Sequence, residues 1–421
     1  MIRSFLEGKV NLIAPTFLVL LVFFIPISTS IKSILLILSL LALLLTPYYR
    51  QFLPYAFNTL WARSGLVLFL FVLIACSWSQ APFSLQYNVI DKYSKLLFLP
   101  ILAVGFVKPK TRLWVLNSYI LVMLLTSILS FLKEKQLLAI NTEDPGYIFY
   151  NHIVTGFMIA LGVYFALILL LQNNKSGWMR FFYLLMALVG SYQILFINTG
   201  RTGYVTYGIL MSLVILQKFT PKKALIGMVV FVGAMSLAYV LSPVMHERTL
   251  SMINEIKLLQ NNQADTSLGF RIQFHQYAQS LFEKHPILGV GTGGFQYNFV
   301  KDQPIPSWGH KLNEPHSQYW LTLSELGLAG IVLFLFFIGA LFTTMVQLNE
   351  MKPFLLGLLV SFCILSFSDT VFCYSTIGYL LILFSALSFG ELIEKNEEGA
   401  VHTMSPLEIP PCTRDDVGSL S

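Results

Sequence analysis

The stretch GLAGIVLFLFFIGALFTTMV, residues 327–346, holds no charged residue. As an α-helix rising 1.5 Å per residue it spans about 30 Å, the thickness of a bilayer's hydrocarbon core. Its apolar side chains cover all sides of the helix instead of one stripe, so the medium around it is hydrocarbon and not water. Working outward, the same pattern recurs at 12–29, 32–46, 65–80, 94–107, 113–132, 152–171, 179–197, 203–217, 224–241, 353–368 and 371–390. The segments 94–107 and 353–368 are the shortest. Composition agrees: 56% of the 421 residues are apolar and 11% are charged, against about 25% charged in a soluble domain. The expectation is an all-α polytopic membrane protein with about 12 transmembrane helices.

Cytoplasmic connections carry the excess of Lys and Arg. With the N-terminus inside, thirteen basic residues fall on inner connections against six on short outer ones. The dense clusters Lys108-Pro109-Lys110-Thr111-Arg112 and Pro221-Lys222-Lys223 are all inner. Both termini are then cytoplasmic, and the net charge of +6 reflects topology; no basic block with interleaved aromatics suggests nucleic acid as a partner. Arg3 and Lys9 precede an apolar run and Ser28-Thr29-Ser30 resembles a cleavage site, but a retained first helix fits a chain with many further crossings. The four cysteines show no CxxC spacing, which argues against a disulfide framework or a zinc site.

Four regions follow: helices one to nine over 1–241, a large outer loop over 242–318, helices ten to twelve over 319–390, and a polar tail over 391–421 expected to be disordered. The large loop is too polar to span and too long for a connector, which points to function. A shorter outer cap, Lys133 to Asn151, contains Glu143-Asp144-Pro145-Gly146.

Charges at a membrane edge are costly and mark functional candidates. Arg201 lies in the short outer turn Asn198-Thr199-Gly200-Arg201-Thr202-Gly203. It either snorkels to headgroups or binds an anion, and the flanking glycines would let a substrate approach the backbone. In the loop, Thr266-Ser267-Leu268-Gly269-Phe270-Arg271 opens an amphipathic helix whose buried face is Phe270, Phe274, Tyr277 and Leu281. Arg271 and His275 share a neighbouring face. The glycine run in His285-Pro286-Ile287-Leu288-Gly289-Val290-Gly291-Thr292-Gly293-Gly294 lacks the βαβ context of a nucleotide-binding loop and reads as a turn of close backbone approach. Asn313-Glu314-Pro315-His316-Ser317-Gln318-Tyr319-Trp320 closes the loop. His316 is a metal ligand, a structural hydrogen-bonder or a general base, and for a metal it lacks partners at ligand spacing. Glu314, Glu325 and Asp369 are outer-edge carboxylates. No Asp-x-Asp occurs to hold Mg²⁺ or Mn²⁺ against a diphosphate, so arginines would have to supply that charge.

The spellings Asn-Thr-Gly-Arg201-Thr-Gly, Thr-Ser-Leu-Gly-Phe-Arg271 with His-Pro-Ile-Leu-Gly-Val-Gly, and Glu-Pro-His316-Ser-Gln-Tyr-Trp together resemble the bacterial O-antigen ligase and polymerase superfamily. Ser317 stands where members often carry Asn. The resemblance implies a GT-C-like architecture and a metal-independent, inverting glycosyltransferase of the bacterial inner membrane, without a cofactor. Its donor would be a glycan on undecaprenyl diphosphate and its acceptor lipid A-core, joined at a periplasmic site during lipopolysaccharide biosynthesis. By the same resemblance, Arg201 and Arg271 match positions that engage the donor diphosphate, and His316 the position that activates the acceptor. His275, Glu314, Glu325 and Asp369 are supporting candidates. The Thr-Ser-Leu-Gly-x-Arg spelling and the Ser368-Asp369 pair look more like a ligase than an O-antigen polymerase. A membrane transporter or flippase is the alternative of another class, but transporters place ionisable groups near the midplane, and here they cluster at one face.

Overall fold

A computed structural model describes residues 2–138, 144–172, 176–308 and 312–403. Its helices are α1 (Ile2–Phe24), α2 (Thr29–Leu45), α3 (Pro47–Arg50), α4 (Leu53–Phe57), α5 (Leu60–Ile74) and α6 (Phe83–Val104). They continue as α7 (Pro109–Glu134), α8 (His152–Leu170), α9 (Gly177–Tyr192), α10 (Arg201–Lys218), α11 (Pro221–Leu241) and α12 (Pro243–Gln260). The last are α13 (Ser267–Lys284), α14 (Gly294–Asp302), α15 (Gln318–Met345), α16 (Lys352–Leu365) and α17 (Ser375–Thr403). No strand occurs among the described residues. The protein is an all-α, multi-pass membrane protein.

Many helix starts follow from local chemistry. The side chains of Ser28, Asn151, Ser242, Thr266 and Ser317 each accept a first-turn N–H of the helix they precede. Proline opens α7, α11 and α12, where its missing donor costs nothing.

Every predicted crossing falls on a helix, yet the described helices that are long and apolar enough to span number seven, or eight with a bent pair counted as one. Leu60–Ser77, α7, α8, Gly177–Ile197, α11, α15 and Ser375–Glu398 qualify outright, and α2 bends by 80° into Pro47–Phe57. The apolar part of α1, Leu12–Phe24, and α16 are short. α10 begins on Arg201, and α6 carries Asp91, Lys92 and Lys95.

That last helix differs from expectation. It begins at Phe83, well before 94, so Lys92 and Lys95 are helical and not part of a connection. Lys95 Nζ is buried and donates to the carbonyl of Phe372 (2.8 Å), while buried Lys32 on α2 donates to Ser375 Oγ (2.5 Å). Both lysines therefore tie down the turn between α16 and α17.

At the opposite end of the bundle, α17 runs past residue 390 to Thr403, into the stretch expected to be tail. Polar ties hold it there: Glu391 accepts the N–H groups of Asn349 (2.7 Å) and Met351 (2.9 Å), and Glu394 pairs with buried Arg112 (2.5 Å). Residues 404–421 lie outside the described residues, as does Glu143.

Most of α8 and α17 is buried inside the bundle, and α11 exposes nearly all its length at the edge. α8 crosses α10 closely, where a Cβ on Gly156 would come within 2.9 Å of Gly203 Cα. Small residues at such a point let backbones approach and gain dispersion contacts where lipid offers no hydrophobic drive. A second, smaller core forms in the segment 242–317: Phe274, Tyr277, Leu281, Phe295 and Phe299 pack with Leu312, Leu321 of α15 and Cys373. This core seats the loop helices on one end of the bundle.

Candidate functional site

Three of the four expected apolar positions of α13, Phe274, Tyr277 and Leu281, are buried, and Phe270 packs against them from the edge. Thr266 Oγ1 caps the helix on Gly269 N–H (3.1 Å), and Gly269 passes so close to Ala264 that a Cβ would lie 2.2 Å from its carbonyl oxygen. The Thr-x-x-Gly spelling thus sets where α13 begins, and Arg271 is its fifth residue, at the start of the second turn.

Arg271 faces Asp369, with Nη2 3.9 Å from Oδ2. Asp369 comes from the turn between α16 and α17 and is fully buried. Its Oδ1 receives Tyr374 Oη at 2.6 Å and lies 3.2 Å from His316 Nδ1, while Oδ2 has no hydrogen bond within the chain. A carboxylate only accepts, so the shared proton belongs to Nδ1 and the Nε2 lone pair of His316 remains available as a base. Burial pushes the Tyr374 hydroxyl well above its ordinary range, with the Asp369 charge adding to the effect, so it stays a donor.

His316 is held as well as oriented. Its backbone is left-handed (φ +52°), a conformation few non-glycine residues adopt. Ser317 beside it caps α15 on Trp320 N–H (3.4 Å) and donates to Ser366 O (3.3 Å). His275 Nε2 is 3.2 Å from the His316 carbonyl, and the His316 ring stacks on Phe274 at 5.9 Å. Burial lowers the pKa of His275, which keeps it neutral and donating to that carbonyl.

The Asp369 turn is itself fixed by Gln318. Its N–H donates to the carbonyls of Ser366 and Asp369 (2.9 and 3.1 Å), and its side-chain oxygen accepts Phe372 N–H (3.2 Å). With Lys32 and Lys95 this makes a polar cradle that sequence reading did not anticipate, because its members lie on four separate helices and turns.

Arg201 is the first residue of α10, after a π-helical turn at Gln193–Ile197. It forms a two-pronged ion pair with Glu255 of α12: Nη1 donates to Oε2 at 3.2 Å and Nη2 to Oε1, with Ser251 Oγ a further acceptor at 3.1 Å. Its flanking glycines lie against a neighbouring helix. Gly203 meets Gly156 of α8, and a Cβ on Gly200 would lie 3.0 Å from the His152 carbonyl oxygen, so both accommodate the neighbouring helix. The turn is also clamped from the shorter cap. Asp144 accepts Thr199 Oγ1 and Gly146 N–H, both at 2.7 Å, and lies 3.4 Å from His152. Burial alone would raise the Asp144 carboxyl, but the donors His152, Thr199 and Gly146 outweigh it and hold it down to about 2.

Of the remaining candidates, Glu314 is half-buried, with Lys92, His316 and Asp369 as electrostatic neighbours; burial raises its carboxyl above the ordinary range. Glu325 sits apart in role. It is buried on α15 and accepts the N–H of Phe295 (3.3 Å), which makes it the cap of α14. The glycine run packs against α15. Val290 and Gly291 donate to the carbonyls of Ser324 and Glu325 (3.0 and 2.8 Å), and Leu328 and Ala329 return bonds to Pro286 and Ile287 (2.8 and 3.1 Å). This exchange is possible because α15 breaks at Gly327 (φ +64°, ψ −161°), where the predicted tenth crossing begins. Among the described residues, no three of His, Cys, Asp and Glu come together at metal-ligand spacing.

Residues 187–335 match the family model described as O-antigen ligase. The chain is similar to that family over those residues, about a third of its length. No curated protein matches the chain. The O-antigen ligase match takes in Arg201, Arg271, His275, Glu314, His316 and Glu325, whereas Asp369 and the helices before α9 lie outside it.

Proposed function

We propose that this chain is an O-antigen ligase, an inverting glycosyltransferase that moves a glycan from undecaprenyl diphosphate to lipid A-core on the periplasmic side of the inner membrane. The observation that carries this reading is the junction of His316, Asp369 and Arg271: a histidine oriented by a buried carboxylate, next to an arginine. Such a grouping suits a reaction that removes a proton at one point and stabilises negative charge nearby.

An acceptor hydroxyl oxygen attacks the anomeric carbon of the donor sugar. His316 Nε2 takes the hydroxyl proton as the new C–O bond forms, and Asp369 stabilises the resulting imidazolium through Nδ1. The bond from the anomeric carbon to the diphosphate breaks, and undecaprenyl diphosphate leaves with the electron pair. Attack from the face opposite the leaving group inverts the anomeric centre. Arg201 and Arg271 bind the diphosphate oxygens in pairs and offset the charge that builds on them. Diphosphate is a good leaving group, so no general acid is needed and none is assigned. The chain lacks an Asp-x-Asp pair to hold a metal against the diphosphate, and the two guanidinium groups supply that positive charge instead.

The test is deletion of the gene in its own host, followed by gel analysis of lipopolysaccharide and lipid-linked glycan. A ligase predicts loss of polymer on lipid A-core while long chains accumulate on undecaprenyl diphosphate. Lipid A-core capped by a single repeat unit, with no long chains anywhere, would make the chain a polymerase. An unchanged profile would end both readings and return attention to transport.

A further inference from the structure

We propose that Glu255 competes with the donor diphosphate for Arg201, and so sets how tightly and how selectively the donor binds. The proposal rests on the assignment of Arg201 to the diphosphate made above. Both terminal nitrogens of Arg201 engage Glu255, in the paired geometry by which a guanidinium grips two phosphate oxygens. Glu255 therefore mimics the anion expected at that position. It is well anchored as a carboxylate, because Ser251 Oγ donates to Oε1 (3.2 Å) and Leu268 N–H donates to Oε2 (3.0 Å). Arg201 is the main cause that holds its carboxyl below the ordinary range.

Two consequences follow from where these partners sit. Leu268 lies in the first turn of α13, just ahead of Arg271, so one carboxylate links both arginine-bearing helices. Displacing it frees Arg201 and the Leu268 N–H together. The element that would move, α12, has no buried residue and joins α11 through the single residue Ser242, so it can swing without opening a core. A diphosphate carries enough charge to win Arg201 from a carboxylate, whereas a monophosphate gains less. Glu255 thereby favours lipid diphosphates over lipid monophosphates.

The experiment measures binding of inorganic pyrophosphate and inorganic phosphate to the detergent-purified full chain by calorimetry. Glu255→Gln removes the competing charge and is expected to bind pyrophosphate about tenfold more tightly, equivalent to about 1.4 kcal/mol. Its preference for pyrophosphate over phosphate should narrow. Arg201→Ala should lose pyrophosphate binding. Ser251→Ala, which loosens Glu255 without changing charge, should shift affinity in the same direction by less, and it decides the matter if Glu255→Gln does not fold. Equal or weaker pyrophosphate binding by Glu255→Gln, with binding lost in Arg201→Ala, would overturn the competition while leaving the Arg201 assignment intact. Undiminished binding by Arg201→Ala would overturn that assignment and the inference with it.

Discussion

At the scale of single residues, the left-handed backbone of His316 is the costliest local feature of the site. A non-glycine residue held there stores about 1–3 kcal/mol, and its surroundings must over-determine it. Ser317, Gln318 and His275 do so here. His316→Gly should therefore fold at least as well as wild type yet transfer no glycan, while His316→Ala should be inactive and less stable. A glycine variant that retained transfer would remove His316 as the base. Asp369→Asn keeps the shape but no longer fixes the imidazole proton. Transfer should fall by about 10²–10⁴-fold with abundance unchanged, measured with purified donor and acceptor. The pH dependence of His275 has a definite sign. Its folded pKa is depressed by burial, so its contribution is present above about pH 6.5 and is lost as pH falls through the lower folded value. Melting temperature should drop more steeply between pH 7 and 5 in wild type than in His275→Asn; parallel curves would count against this. Arg201, Arg271 and His316 were legible as chemistry because charge at a membrane edge is expensive. Glu255, the partner of Arg201, and Tyr374, the partner of Asp369, were not, because nothing in the local spelling of α12 or the Asp369 turn says what faces them.

At the scale of elements, glycines decide how helices meet. The break at Gly327 lets the run Pro286–Gly291 exchange four backbone hydrogen bonds with α15. A Cβ there would lie 2.4 Å from the Ile287 carbonyl. Gly327→Ala should lower the melting temperature of the detergent-solubilised protein markedly, since the steric conflict adds to the conformational strain. A variant as stable as wild type would mean that the loop docks by other means. Gly156→Val should force α8 from α10 and displace Arg201 at the head of α10. Transfer should fall with membrane insertion retained, as judged by fractionation and activity together. The sequence pattern marked a tight approach at the glycines beside Arg201 and in the run 285–294, but not at Gly156 or Gly327, because what approaches depends on a helix many residues away.

At the scale of the whole molecule, polar ties sort to two ends of the bundle. One end carries the Arg201 turn, the segment 242–317 and the Asp369 turn; the other carries the Arg112–Glu394 pair and the Glu391 caps. The excess of Lys and Arg at 108–112 and 221–223 predicts that these clusters face the cytoplasm, so an impermeant maleimide should label Lys301→Cys from outside and Lys222→Cys only after lysis, in a background with the native cysteines replaced. Labelling in the reverse order would place the site in the cytoplasm. The sequence by itself determined the membrane class, the centres of the apolar helices though not the extents of α6 and α17, the basic asymmetry and which residues were chemically conspicuous. These properties are set locally: twenty apolar residues need hydrocarbon, a capping side chain starts a helix, and a charge at an interface needs a reason. Only the tertiary structure decided that Asp369 orients His316, that Glu255 holds Arg201, that Glu325 caps α14, and that Lys32 and Lys95 brace a distant turn. Those are pairings between segments far apart in the chain, and a buried polar group takes whichever partner packing brings to it.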